Sequence, residues 1–310
     1  MRAFTLLTLG IGVLVGLQPA WAAGPSVNSV ERPPVPGAQP PAAEQIGQVV
    51  GSFTFPNPPI PPNHALTGIE HDGLGNLYCA DTGAGSDPSQ FFLSTTREPV
   101  AQVIDGPFVV ESHSGTPIGI TTDGRSVFVG DVSGADVDVY DLAGNYLRSF
   151  SVASQTGFPE GITFNRITDH LYVVDGQGGN KVSEFTLDGT FIQNFTVNGA
   201  SQDGLAFDPW RCSYWLYDGG PSGTDTVRHY DFNFVEMESF AGPLAAGYGY
   251  GEGVAVIGDR LYIMSSVAGV ATVVVFDITD AVLSPQSALC RIFEDGFESG
   301  DASAWSASVP

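Results

Sequence analysis

Basic side chains are scarce in these 310 residues: 11 Lys and Arg face 34 Asp and Glu, and the formal net charge is −23. Lys181 is the only lysine. A surface field of that sign repels polyanions, which argues against nucleic acid or an anionic membrane as partner. It suits an exported protein that stays soluble, tolerates salt or gathers divalent cations. Cysteine is scarce too. Cys79, Cys212 and Cys290 form no CxxC pair and show no His/Cys spacing suited to zinc. Three cysteines in an exported chain leave room for one disulfide with one thiol over, and the spacing does not choose the pair. Cys79 falls inside a strand-like apolar run, where a small buried hydrophobe belongs.

Catalytic signatures are missing as well. The chain has no GxSxG, no HExxH and no phosphate-binding loop. His64, His71, His113, His170 and His229 fall in unrelated turns and strand edges, none with a partner at ligand spacing. The run DVDVYD, Asp136–Asp141, alternates like a half-exposed strand and lacks EF-hand spacing. Ser-His-Asp chemistry therefore has no support in the sequence. Any catalysis by this chain is expected to be metal-assisted, the ion polarising a carbonyl or activating water. Long apolar runs are limited to Phe4–Leu17, which follows Arg2 and precedes Ala20-Trp21-Ala22. That is the layout of a secretory signal over residues 1–22, and the run is too short and Gly-interrupted for a membrane span. The mature chain is expected to be secreted or periplasmic, with no membrane span.

What the chain does have is repetition. The stretch FPEGITFNRITDHLYVVDGQGGNKVSEFTLDGTFIQNFTV (residues 158–197) reads as four short strands with turns between them. Asp188-Gly189 marks the last hairpin. The same unit recurs from Gly68, Gly119, Gly161, Gly204 and Gly253, at spacings of 51, 42, 43 and 49 residues. In the first four units an Asp closes the second strand (Asp81, Asp131, Asp175, Asp218), and Ser265 takes that place in the fifth. Such an Asp is expected to accept hydrogen bonds from turn amides two residues on. Four strands per repeat of this length predict an all-β fold, a β-propeller of four-stranded blades. Five blades are favoured; six is the competing count, with a degenerate blade hidden in residues 83–115.

The Gly-Ile opening, the LYV-type strand ending in Asp and the DG-x-(F/Y) hairpin resemble NHL-type repeats and the related gluconolactonase–regucalcin propellers. The resemblance covers roughly Gly47 to Asp280. Before it, residues 23–45 are rich in Pro and Ala and read as an extended linker. The segment IGQVVGSFTF (46–55) looks like a fourth strand lacking its first three, and the fifth unit lacks a clear fourth strand. Closure of the ring by this N-terminal strand would supply it, giving a propeller over 46–282 and removing an open edge. Residues 283–310 form an acidic-aromatic tail, expected to lie outside the propeller. Trp210, Tyr214, Trp215 and Tyr217 crowd into the fourth unit and are expected to pack as core.

First strands of a propeller line a central channel, so the residue before each anchor glycine points at one mouth. Those residues are Thr67, Ile118, Glu160, Asp203 and Glu252. Three consecutive carboxylates there are candidate oxygen ligands for Ca²⁺ or another divalent cation, or else solvated channel lining. The gluconolactonase resemblance implies a divalent metal at that mouth on a Glu, an Asn and an Asp. GEG at Glu252 and QDG at Asp203 resemble two of those motifs, whereas PEG at Glu160 stands where that family has Asn.

Two function classes follow. One is an exported binding or scaffold propeller, a monomer that holds a protein, glycan or small molecule at one face of the disc. The other is a divalent-metal-dependent, gluconolactonase-like hydrolase. A peptidyl-hydroxyglycine lyase, also built on NHL-type repeats, is weaker because its metal-ligand histidines have no match. Arginines are few and none adjoins an anchor glycine, which tilts the reading toward binding.

Overall fold

The computed structural model describes residues 46–55, 64–83, 87–97, 100–219, 224–267 and 270–290. The expected signal (1–22), the Pro/Ala-rich linker (23–45) and the tail from 291 onward lie outside the described residues.

Short strands rich in Val, Ile, Phe and Tyr, punctuated by Asp/Gly turns, form hairpins rather than helices. They do so here throughout. Strand β1 (Gln48–Thr54) stands first. Blade one holds β2 (Leu66–His71), β3 (Asn76–Asp81), β4 (Gln90–Thr95) and β5 (Val103–Val109). Blade two holds β6 (Pro117–Thr122), β7 (Ser126–Asp131), β8 (Asp136–Asp141) and β9 (Tyr146–Ser151). Blade three holds β10 (Pro159–Asn165), β11 (His170–Asp175), β12 (Lys181–Thr186) and β13 (Phe191–Thr196). Blade four holds β14 (Gln202–Asp208), β15 (Ser213–Asp218), β16 (Thr226–Tyr230) and β17 (Glu236–Ala241). Blade five holds β18 (Gly251–Ile257), β19 (Arg260–Val267) and β20 (Val270–Asp277). One short helix, α1 (Ser287–Cys290), follows.

Each blade is a four-stranded antiparallel sheet, and β1 supplies the fourth strand of blade five. It pairs antiparallel with β20, from Gln48↔Asp277 to Thr54↔Thr272. The N-terminal closure expected from the two incomplete ends is therefore present. Residues 83–115 contribute β4 and β5 to blade one, so the count is five. The first strands lie side by side around the channel, β2–β6–β10–β14–β18 and back to β2.

That crowding explains the anchor glycines. A Cβ on Gly253 would stand 2.5 Å from the Ile69 amide nitrogen of blade one, and Cβ atoms on Gly68, Gly119 and Gly204 would run into the carbonyl oxygens of Ile118, Glu160 and Glu252. Five inner strands can meet this closely only where one residue has no side chain. The space left among them is about 10 Å³, roughly one water's worth.

The core lies between blades. Tyr172 and Val174 of blade three, for example, pack with Leu205, Phe207, Tyr214 and Leu216 of blade four. Outer strands such as β13 are mostly exposed, so each blade buries its inner strands and leaves the rim to water. The second-strand Asp residues do the expected work. Asp81 accepts from Gly83 N, Asp131 from Ser133 N and Asp175 from Gln177 N, each two residues on. Asp218 differs: it bonds Ala200 N and Ser201 N in the preceding connection, with the Thr224 hydroxyl.

Cys212 and Cys290 form a disulfide, with Cα atoms 5.5 Å apart, and Cys79 is free and buried. Residues 283–290 run against blade four on the way there: Ser284 N donates to Arg211 O, and Ser284 Oγ accepts from Phe232 N.

Candidate functional site

Glu160, Asp203 and Glu252 open β10, β14 and β18, so the topology brings them to one mouth of the channel, as their register predicts. Thr67 in the same ring donates its hydroxyl to blade two's backbone at Pro117 O and Ile118 O. The acids are not equivalent. Asp203 is 4% exposed, and its Oδ1 accepts from Ser201 Oγ at 3.0 Å. No N–H or O–H of the described residues reaches its Oδ2. An ionised carboxylate there would be a buried acceptor without a donor, whereas a proton shared between the Asp203 and Glu160 carboxyls relieves their repulsion. Burial pushes Asp203 up to about 9, aided by that shared proton and by the charges of Glu160 and Glu252. Burial raises Glu160 also, opposed by the Asp203 hydrogen bond and reinforced by Asp175. Glu252 rises to about 7, through burial first and the Glu160 charge second. Gly176 makes room for this arrangement, since a Cβ there would overlap the Glu160 carboxyl.

The three acids thus interact, and burial holds all three above the ordinary carboxylate range. Among the described residues no three His, Cys, Asp or Glu side chains are arranged as a metal cage. A cation would have to displace the shared proton and draw Asp203 Oδ2 toward it.

Deeper in the channel lies a carboxyl that the sequence reading missed. Glu70 is two residues past its anchor glycine, level with Thr121, Thr163, Ala206 and Ala255 of the other blades. Its Oε2 accepts from the hydroxyls of Thr121 (3.0 Å) and Thr163 (2.9 Å), and its Oε1 from His71 N (2.7 Å). Burial nevertheless raises it to about 7, against those bonds and the Arg166 charge. The signal was available: one repeat carries an acid where the others carry Thr or Ala.

A second constellation was invisible in the sequence. Ser213 Oγ lies 2.7 Å from His229 Nε2, and His229 Nδ1 lies 2.8 Å from Glu238 Oε1. The order is that of a Ser-His-acid triad, but Ser213 and His229 are both fully buried. The His229 ring is stacked on Trp215 at 3.8 Å and 3°. No acyl group can reach that serine. The three side chains come from β15, β16 and β17 and serve as a cross-strand tie within blade four.

The other ends of the first strands form the opposite face of the disc. There the expectation for the aromatic crowd needs correcting. Tyr214, Trp215 and Tyr217 are fully buried as expected, whereas Trp210 is 54% exposed. Trp210 occupies the β14–β15 turn, which swings its ring outside the blade interface. It lines two concavities, of about 540 Å³ and about 470 Å³. No helix among the described residues is long and apolar enough to cross a membrane.

No protein-family model matches the chain, and no curated protein matches it. Among solved structures it is similar to a chain of a nidogen/laminin complex, at 20% identity and TM-score 0.50, covering 66% of this chain and 73% of that one. It is also similar to the glutaminyl cyclase of Myxococcus xanthus, at 11% identity and TM-score 0.53, covering 74% and 96%. A streptogramin B lyase aligns at 12% identity and TM-score 0.44, over 74% and 73%. At these identities the likeness is one of fold, and the chain is a five-bladed β-propeller.

Proposed function

We propose that this chain is an exported binding propeller, a monomer that presents one face of its disc to a protein, glycan or small molecule, rather than a metal-dependent lactonase. One observation carries the choice: just inside the mouth, where Glu160 meets the ring of anchor glycines, the channel narrows to about 10 Å³, room for a water or an ion and not for a lactone ring to enter. A similar fold is seen in the nidogen/laminin complex, a binding assembly, although propellers host many activities and fold alone assigns none.

The acidic mouth has a role within this reading. Glu160, Asp203 and Glu252 take up one divalent cation, Ca²⁺ by preference for carboxylate oxygen, in exchange for the shared proton. The unpartnered Asp203 Oδ2 supports it. The ion would neutralise the mouth and stabilise the ring, by about 2.7 kcal/mol when free ion exceeds its dissociation constant 100-fold.

The test is thermal unfolding with Ca²⁺, Mg²⁺, Zn²⁺ or chelator, on the wild type and on Asp203→Ala, alongside an assay of simple lactones. A metal-dependent rise abolished by the substitution, without lactone turnover, is the expected result. Unchanged melting in every condition would leave the acids as protonated channel lining. Metal-dependent turnover would return the hydrolase.

A further inference from the structure

We infer that the disc face opposite the acidic mouth carries a second, independent site, for a small carboxylate with a flat apolar body. The concavity of about 470 Å³ is lined by His71, Arg166, Ile167, Pro209, Trp210 and Cys290. That volume lies within the range of small-molecule sites.

The wall is built to hold still. Asp208, fully buried, accepts from Trp210 N (2.9 Å), Arg211 N (3.0 Å) and Trp215 Nε1 (3.2 Å). Arg211 is 4% exposed and locks the turn to blade five through Gly258 O, Asp259 and Ile278 O. The Cys212–Cys290 disulfide closes it from the other side. Across the concavity, Asn165 accepts from Ile167 N (2.8 Å) and donates to Tyr214 OH (2.6 Å), fixing the turn that bears Arg166. An exposed indole on so rigid a turn loses little entropy when a flat ligand stacks on it.

Arg166 sets the charge preference. Arg97, Arg148, Arg211, Arg228 and Arg260 all donate to carbonyls or carboxylates. Exposed Arg166 has no hydrogen bond or ion pair among the described residues, and Glu70, whose charge it feels, is already held by two threonines and an amide. Asp72 and Asp123 line the neighbouring concavity, which also includes Arg166, but both are occupied by their own turn amides. His71 Nε2 accepts from Gly75 N at 3.2 Å, so a neutral ring keeps its Nδ1–H to donate. Guanidinium, imidazole N–H and an apolar platform together match an anion on an aromatic or aliphatic body.

The probe is 4-phenylbutyrate, with 4-phenylbutyramide as its neutral twin, titrated against the full mature chain while tryptophan emission is read. Saturable quenching by the carboxylate is expected. Arg166→Gln should weaken it about tenfold or more without changing the amide's affinity, as loss of a charge-assisted pair does. Trp210→Leu should remove the response to both, with the ligand's own NMR signals checking that binding itself is lost. Asp203→Asn and added Ca²⁺ should leave it untouched, which separates this site from the acidic mouth. Equal binding of acid and amide, an inert Arg166→Gln, or no saturable response would overturn the proposal. So would binding that emerges only after residues 291–310 are deleted, because the chain's own tail would then be the occupant.

Discussion

At Asp203, burial and ionisation compete, and burial prevails. The folded state keeps a proton there up to about 9, whereas an unfolded chain releases it near the ordinary value of 3.8. The native protein therefore binds the extra proton across that window, and stability falls as pH rises through it. The slope is at most ~1.4 kcal/mol per pH unit for each such group. Glu70 and Glu252, both raised from 4.5 to about 7, add to the decline over their shorter window. His64 acts in the same direction. Burial draws its pKa down, but its hydrogen bonds to Asp81 and Asp87 raise it overall, so its contribution is full below 6.5 and lost above the folded pKa. Asp203→Asn should flatten the profile, gaining stability over the wild type at about pH 8 and little at about pH 5, read as urea midpoints. The fully buried Ser213 makes a different prediction. Ser213→Ala strands His229 Nε2 without its partner and should cost roughly 1–3 kcal/mol in the same measurement, with no effect on ligand binding.

At the level of the strand, the anchor glycine is the element that allows five inner strands to meet. Gly253→Ala would press a methyl into the backbone of blade one, where nothing flexible can yield. It should destabilise by roughly 1–3 kcal/mol or more, through overpacking. Gly51 offers the control: a Cβ there meets nothing, so Gly51→Ala should be neutral or slightly stabilising by reducing unfolded-state entropy, provided the β1 bulge between Val49 and Gly51 is kept. Differential scanning calorimetry of the pair compares a crowded glycine with a free one.

For the whole molecule, closure is the decisive contact. Strand β1 carries Val49 against the core shared by blades four and five and Phe53 against the core shared by blades five and one. Deleting residues through 55 should expose the β20 edge, broaden the unfolding transition and promote association, measured by calorimetry and light scattering. The Cys212–Cys290 bond joins residues 78 apart in sequence. Its loss in Cys290→Ser should cost on the order of 4 kcal/mol in the loop-entropy picture.

Repetition was legible in the sequence because the constraints behind it are local. Alternating apolar residues make each strand, Asp and Gly make each turn, and the close approach of inner strands demands one glycine per repeat. The propeller class, the closure and the acidic register at one mouth follow from reading those signals together, whereas five blades rather than six was settled only by the pairing of β4 and β5 into blade one. What the residues could not disclose is how side chains from distant strands face one another. Trp210 and Trp215 stand five residues apart in one aromatic cluster, yet one lies in the open and the other against His229. Ser213, His229 and Glu238 carry no motif, because a hydrogen-bonded line across three strands has no fixed spacing. The cysteine pairing was equally open until Cα positions were known. The upward shift of the Glu160 and Asp203 carboxyls belongs to the tertiary structure as well. It depends on how much water the packed ring excludes, and that is a property of the assembled blades rather than of any stretch of chain.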